Sequence, residues 1–223
     1  MELVTYRDSD TMMDGLATTL ATALTQALAQ HDTVSFAVPG GTTPAPVFER
    51  LCHMPLDWAR VHVMLTDERW VPDTSGRSNT RLLQQHLLKG AAAAAGFVPL
   101  YNGAPTPEDG LPDLQDNLAR HLPVDVMLLG MGADMHTASI FPGADRLAHA
   151  LDGEDLLVAM RAPGAPEPRI TLSAKVLKAA ARRHIVITGP EKRAALEAAR
   201  SLPPHEAPVA AVLAGSTVHW AEG

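Results

Sequence analysis

An aspartate and a histidine stand two positions apart, Asp134 and His136, in the segment Leu129-Gly130-Met131-Gly132-Ala133-Asp134-Met135-His136-Thr137-Ala138-Ser139-Ile140-Phe141-Pro142-Gly143. Histidine is the side chain whose charge ordinarily changes between pH 5 and 8. A neighbouring carboxylate can orient its ring, so the pair is a candidate general base. The same spacing also suits a turn aspartate beside a packed histidine. The apolar run Val124 to Leu129 leads into the segment and reads as a buried strand. That puts the pair at a strand's carboxyl end, where open α/β sheets bind ligands.

Further polar groups occupy other strand ends. Val38-Pro39-Gly40-Gly41-Thr42-Thr43-Pro44 follows the alternating Val34, Phe36 and Val38. Paired glycines let backbone N–H groups approach an anion, and a helix start adds partial positive charge. The segment outlines a phosphate cradle with Thr42 and Thr43 as hydroxyl donors, or a plain turn in which a threonine caps the helix. P-loop spacing and the P-loop lysine are missing. Next, Leu65-Thr66-Asp67-Glu68-Arg69-Trp70-Val71-Pro72 reads as loop after a second apolar run, with Ser78-Asn79 beyond it. Acids and arginine here are either a solvated loop or a cleft wall. In the second case the planar fork of Arg69 can grip a phosphate or an oxyanion. Arg169-Ile170-Thr171-Leu172 and Gly189-Pro190-Glu191-Lys192 each place one cation near a strand–helix junction. Singly, Arg169 and Lys192 are equally compatible with surface charge. Together with the glycine turn they suit a phosphorylated ligand.

Competing chemistries fit less well. Gly130-Met131-Gly132-Ala133-Asp134-Met135 lacks the third glycine of a dinucleotide fingerprint, and Asp155 precedes its strand instead of ending it. The ten histidines are scattered without H-x-x-x-H spacing, and Asp134 and His136 offer at most two ligands, so no metal is expected. Neither Ser78 nor Ser139 lies in a G-x-S-x-G elbow.

The elements that must position these groups follow from periodicity. Leu16, Leu20, Leu24 and Leu28 predict an amphipathic helix over about Asp10 to Gln30. Strands are predicted at Val34–Val38, Val61–Leu65, 124–129, Leu156–Met160, Arg169–Leu172, His184–Thr188 and Val218–Trp220, with a short one at Phe97–Tyr101. Helices are predicted after Pro44 and Ser78, over Leu111–Leu122, and around Ala174–Arg182 and Glu191–Arg200. Alternating strands and helices imply an α/β fold, a mainly parallel sheet with helices on both faces. The Pro- and Gly-rich stretches 103–112, 162–168 and 203–208 read as surface connections or lids, and residues 1–223 as one domain. A 46% hydrophobic chain with 19% charged residues has material for a sizeable core. Its net charge of −7 argues against a nucleic-acid partner. One cysteine, Cys52, excludes an intrachain disulfide, and no apolar run approaches membrane-helix length. A cytoplasmic protein, monomeric or a small homo-oligomer, is expected.

Taken in order, these segments resemble the 6-phosphogluconolactonase family, which is grouped with glucosamine-6-phosphate deaminases and ribose-5-phosphate isomerase-like folds. Gly40 to Pro44, Asp67-Glu68-Arg69 through Ser78-Asn79, Leu129 to Gly143, Arg169 to Leu172, and Gly189 with Lys192 carry the likeness through nearly the whole chain. The resemblance implies hydrolysis of 6-phospho-D-glucono-1,5-lactone to 6-phosphogluconate in the oxidative pentose phosphate pathway, with no cofactor. It makes His136 the base that activates water and Asp134 its neighbour in the active-site loop. Gly40, Gly41, Thr42, Thr43, Arg169 and Lys192 would hold the phosphate, and Asp67 and Arg69 would line the sugar end. Two positions depart from patterns in the group. Met135 stands where the family usually has glycine; a positive φ there would strain methionine by roughly 1–2 kcal/mol, so either the turn is altered or the glycine is not obligatory. Phe141 stands where the deaminases carry a glutamate; a phenyl ring transfers no proton, which favours lactone over amino-sugar chemistry.

Overall fold

A computed structural model describes residues 1–223. The chain opens with β1 (Glu2–Thr5) and α1 (Ser9–Leu28), whose N-terminus is capped by the Asp8 carboxylate accepting from the Thr11 N–H at 2.7 Å. Then come β2 (Val34–Val38), α2 (Ala45–Leu51), β3 (Val61–Leu65), β4 (Asp67–Arg69), α3 (Asn79–His86), β5 (Gly96–Val98), α4 (Pro107–Ala119) and β6 (Val126–Gly130). The remainder is α5 (Leu147–Asp152), β7 (Leu157–Met160), β8 (Arg169–Leu172), α6 (Ala174–Ala179), β9 (Arg182–Thr188), α7 (Gly189–Ala199), α8 (Ala210–Leu213) and β10 (Ser216–Ala221).

Seven strands form one sheet in the order β1-β10-β9-β6-β2-β3-β5, every pairing parallel. All five residues of β2 are buried, which requires cover on both faces, as in α/β sheets generally. The α1 leucines 16, 20, 24 and 28 enter a core cluster of 58 buried residues that extends to β10. A second, antiparallel sheet, β4-β8-β7, hooks onto the first through Thr66: its N–H donates to Val38 O, and its carbonyl accepts from Leu172 N–H, both at 2.9 Å.

Several expectations are corrected. Asp67–Arg69 is a strand of the small sheet, not loop, because β8 pairs with it residue for residue. The connection read at 103–112 ends at Thr106, whose hydroxyl caps α4, and Pro112 lies inside that helix with its ring exposed. The helix expected at 174–182 stops at Ala179, because β9 begins at Arg182. β1, α5 and α8 are additional elements, each six residues or fewer. The 162–168 segment is pinned where it meets β8. Pro168 O accepts from Trp70 N–H at 2.8 Å, and Glu167 pairs with Arg77 at 2.9 Å.

A polar chain runs inside the large sheet from Tyr6, just after β1, through His219 of β10 to His184 of β9. Tyr6 Oη bonds His219 Nδ1 at 2.8 Å, and His219 Nε2 bonds His184 Nδ1 at 3.1 Å. Burial, then the neighbouring His184, pushes His219 down to about 4. The unfolded histidine takes up its proton near pH 6.5, so stability is full above that and falls as pH drops toward 4. The expected loss from this residue is about 3 kcal/mol. Urea unfolding at pH 7 and pH 4.5 measures it. His219→Gln should flatten the difference, and an unchanged slope would remove His219 as its source.

Candidate active site

The carboxyl ends of β9, β6, β2 and β3 are neighbours in the large sheet, and the small sheet leans over them. They enclose a cleft of about 270 Å³. Gly40, Gly41, Thr42, Thr43, Asp67, Arg69, His136, Arg169 and Lys192 all line it. Asp134 does not; it stands behind His136. Five segments, spread along the chain from Gly40 to Lys192, therefore converge at the strand ends.

The loop after β6 is built to hold the acid–histidine pair. Gly132 N–H donates to His136 O, and Met135 N–H to Gly132 O, both at 3.0 Å. Met135 has φ 65° and Ala138 φ 49°, left-handed conformations that non-glycine residues rarely adopt. Methionine itself therefore takes the left-handed conformation. Its carbonyl accepts from Val209 N–H at 3.0 Å, and its side chain packs on the core, contacts that offset the strain. Asp134 Oδ1 lies 2.5 Å from His136 Nδ1. That hydrogen bond, foremost, holds the Asp134 carboxyl below its ordinary range. With Nδ1–H given to the carboxylate, neutral His136 carries its lone pair on Nε2. Gly132 is required for the fit, since a Cβ there would stand 2.2 Å from His136 Nδ1.

Strand alternation explains the next wall. Asp67 and Arg69 are two apart on β4 and pair with Thr171 and Arg169 of β8, so these four share a face. Glu68 points the other way and is fully buried at the start of α3. Its carboxylate accepts the N–H groups of Arg69, Asn79 and Thr80 at 2.8 Å each and the Ser78 hydroxyl at 3.1 Å. Asp67 Oδ2 accepts from Ser139 Oγ at 2.6 Å and lies 3.8 Å from Arg169 Nη1. Burial lowers the Arg169 pKa and the Asp67 charge opposes the shift; a guanidinium stays charged regardless. The Nε atoms of Arg69 and Arg169 are both buried without a hydrogen-bond partner. Both residues line the cleft, and two guanidinium charges on one wall suit an anion.

Opposite them, the amides of Gly40, Gly41, Thr42 and Thr43 donate to no acceptor within the chain. Since α2 is only seven residues long, the free donors on this side are the loop amides and not a helix N-terminus. Gly40 permits close approach to Asn79: a Cβ would fall 2.0 Å from its Oδ1. Lys192, in the first turn of α7, brings the third cation. No group of three His, Cys, Asp or Glu side chains is arranged to hold a metal ion.

The model of the family described as glucosamine-6-phosphate isomerases/6-phosphogluconolactonase matches residues 7–220. The chain belongs to this family. A 6-phosphogluconolactonase of Pseudomonas aeruginosa is 42% identical over 212 residues, covering 92% of this chain and 89% of its own. One from Rhizobium meliloti is 39% identical, covering 97% of each. Among solved structures, a 6-phosphogluconolactonase from Shewanella baltica superposes with a TM-score of 0.96 at 33% identity, covering 99% of this chain and 97% of that one. The mainly parallel α/β architecture expected from the sequence is the architecture of this family.

Other residues in or beside the cleft were not singled out as site candidates. Ser139 holds Asp67, and Asn79 donates from Nδ2 to Asp67 O at 2.9 Å. Both lie in the segments flagged above, but their contacts cross 72 and 12 residues. Phe141 stacks on the His136 ring with centroids 4.2 Å apart. The five-residue spacing was visible; the left-handed backbone of Ala138 between the two rings was not.

Proposed function

We propose that this protein is a cytoplasmic 6-phosphogluconolactonase, hydrolysing 6-phospho-D-glucono-1,5-lactone to 6-phosphogluconate, with residues 1–223 acting as one folding unit. Family membership supports the reaction, and one observation carries the mechanism: a histidine oriented by a carboxylate faces a cleft bearing three cations and four unspent amides. The amides of residues 40–43, with Arg169 and Lys192, bind the phosphate, a doubly charged group suited to such donors. Asp67 keeps Arg169 in place, and Arg69 lies beside it toward the sugar.

A lactone is an activated ester. Nε2 of His136 takes a proton from water as the water oxygen attacks C1, and Asp134 supports the imidazolium that forms. The oxyanion is met by N–H donors lining the cleft, Arg69 among them. Collapse breaks the bond from C1 to the ring oxygen, which receives the proton from His136. The product carboxylic acid then ionises. Every group in this scheme comes from one chain, so a monomer suffices and a small homo-oligomer is compatible. Phe141, stacked on the base, offers no proton for ring opening of an amino sugar.

The test generates the lactone in situ from glucose-6-phosphate with its dehydrogenase and follows lactone loss. Purified protein should accelerate it well above spontaneous hydrolysis, and a rate equal to the blank would end the proposal. Lys192→Ala should raise KM about 10-fold or more with kcat nearly unchanged, as for loss of one charged hydrogen bond made equally in ground and transition states. An unaltered KM would take Lys192 out of the phosphate set.

A further inference from the structure

We propose that Phe141 is a positioning residue for this reaction: its ring fixes the plane of the His136 imidazole and holds an uncharged surface against the base. The inference rests on His136 being that base. Phe141 does not line the cleft, so it acts through what it touches. Its ring lies 4.2 Å from the His136 ring at an interplanar angle of 28°, and the Arg169 guanidinium carbon is 5.3 Å from its centroid.

The Asp134 hydrogen bond alone does not fix the base. The Asp134 side chain is 53% exposed, and a single bond at Nδ1 sets one distance without fixing both side-chain torsions of His136. A face-on stack removes that freedom. It keeps Nδ1 on Asp134 while Nε2 addresses the cleft, at small entropic cost because a phenyl ring has two side-chain torsions.

The ring also has an electrostatic role. Charged groups around His136 are Asp134 on its own loop, Asp67 and Arg69 on β4, Arg169 on β8 and Lys192 on α7. Three of these are cations, and imidazolium formation works against them. The negative π face of Phe141 attracts both imidazolium and guanidinium, softening their mutual repulsion. A carboxylate at this position would instead hold the proton on His136 after it is taken, and slow its transfer to the ring oxygen.

Three variants and one spectrum test this. Phe141→Leu should lower kcat about 10-fold or more through misorientation of the base, with KM changed less than about twofold. Phe141→Tyr, which keeps the flat ring, should restore most of kcat. Phe141→Glu should move the acid limb of the kcat–pH profile upward by about one pH unit, as a new neighbouring carboxylate favours the protonated ring. A merely structural role would change KM along with kcat in Phe141→Leu and would show no selective rescue of kcat in Phe141→Tyr. In the wild-type protein, the His136 ring-proton resonances should lie upfield of those of exposed His205 through the ring current of Phe141.

Wild-type kcat in Phe141→Leu, or an acid limb unmoved in Phe141→Glu, would overturn the inference. If a variant does not fold, the wild-type spectrum decides: no upfield displacement means no stack and no positioning. Full activity in His136→Ala would instead defeat the underlying reading of the base, a result separable from all of these.

Discussion

Replacing His136 with alanine is expected to lower kcat for lactone hydrolysis by about 10²–10⁴-fold, the range spanned by positioned general bases. KM should change little, because phosphate recognition is assigned to the 40–43 amides, Arg169 and Lys192 on other walls of the cleft. Residual acceleration should persist, since those donors still orient the lactone and meet its oxyanion. Stability should be nearly unaffected. The His136 side chain is 29% exposed, and its main polar partner, Asp134, is more exposed still. Asp134→Asn gives a useful contrast. An amide oxygen still accepts from Nδ1–H, so the ring keeps its orientation while the imidazolium loses its counter-charge. A smaller fall in kcat than in His136→Ala is the expected order. Steady-state kinetics of the two variants, with folding checked by circular dichroism, settle it; wild-type kcat in His136→Ala would refute the base assignment.

Much of this fold was legible because its strands and long helix are periodic. Leu16, Leu20, Leu24 and Leu28 announce α1, and the apolar runs at 34–38, 61–65 and 124–129 announce three adjacent strands of the large sheet. The site segments were legible for a related reason, since polar and glycine residues following such runs mark strand ends. What could not be read was pairing. Asp-Glu-Arg has no apolar alternation, and only the β8 partner makes it a strand. Once paired, its alternation divides the labour: Asp67 and Arg69 face the cleft, and Glu68 faces α3. Short elements escaped too, because α5, α8 and β1 are set by packing more than by local preference. In the loop after β6, Met135 was recognised as anomalous, but only backbone geometry shows that it carries the positive φ.

The same division of labour makes Glu68 a residue whose loss should strongly destabilise the protein. Glu68→Ala is expected to cost about 3–5 kcal/mol, the range for removing one partner from a buried charged network. Three N–H groups and one hydroxyl lose their acceptor together, in a place where water does not replace it. For a chain of this size the loss corresponds to a fall in Tm of about 10 °C. Glu68→Gln should be intermediate. Its amide oxygen serves Arg69 and Asn79, and its NH2 can donate to a reoriented Ser78 hydroxyl, but it still faces the Thr80 N–H without accepting from it. The damage should extend to the cleft, because Asn79 both donates to Asp67 O and fills the space against Gly40. Freed from Glu68, the start of α3 no longer fixes either wall. KM measured well below the lowered Tm should therefore rise in Glu68→Ala while His136 and Asp134 remain intact. Calorimetry and low-temperature kinetics test both halves. A Tm within about 2 °C of wild type, equivalent to less than about 1 kcal/mol, would show that this network does not hold β4 to α3.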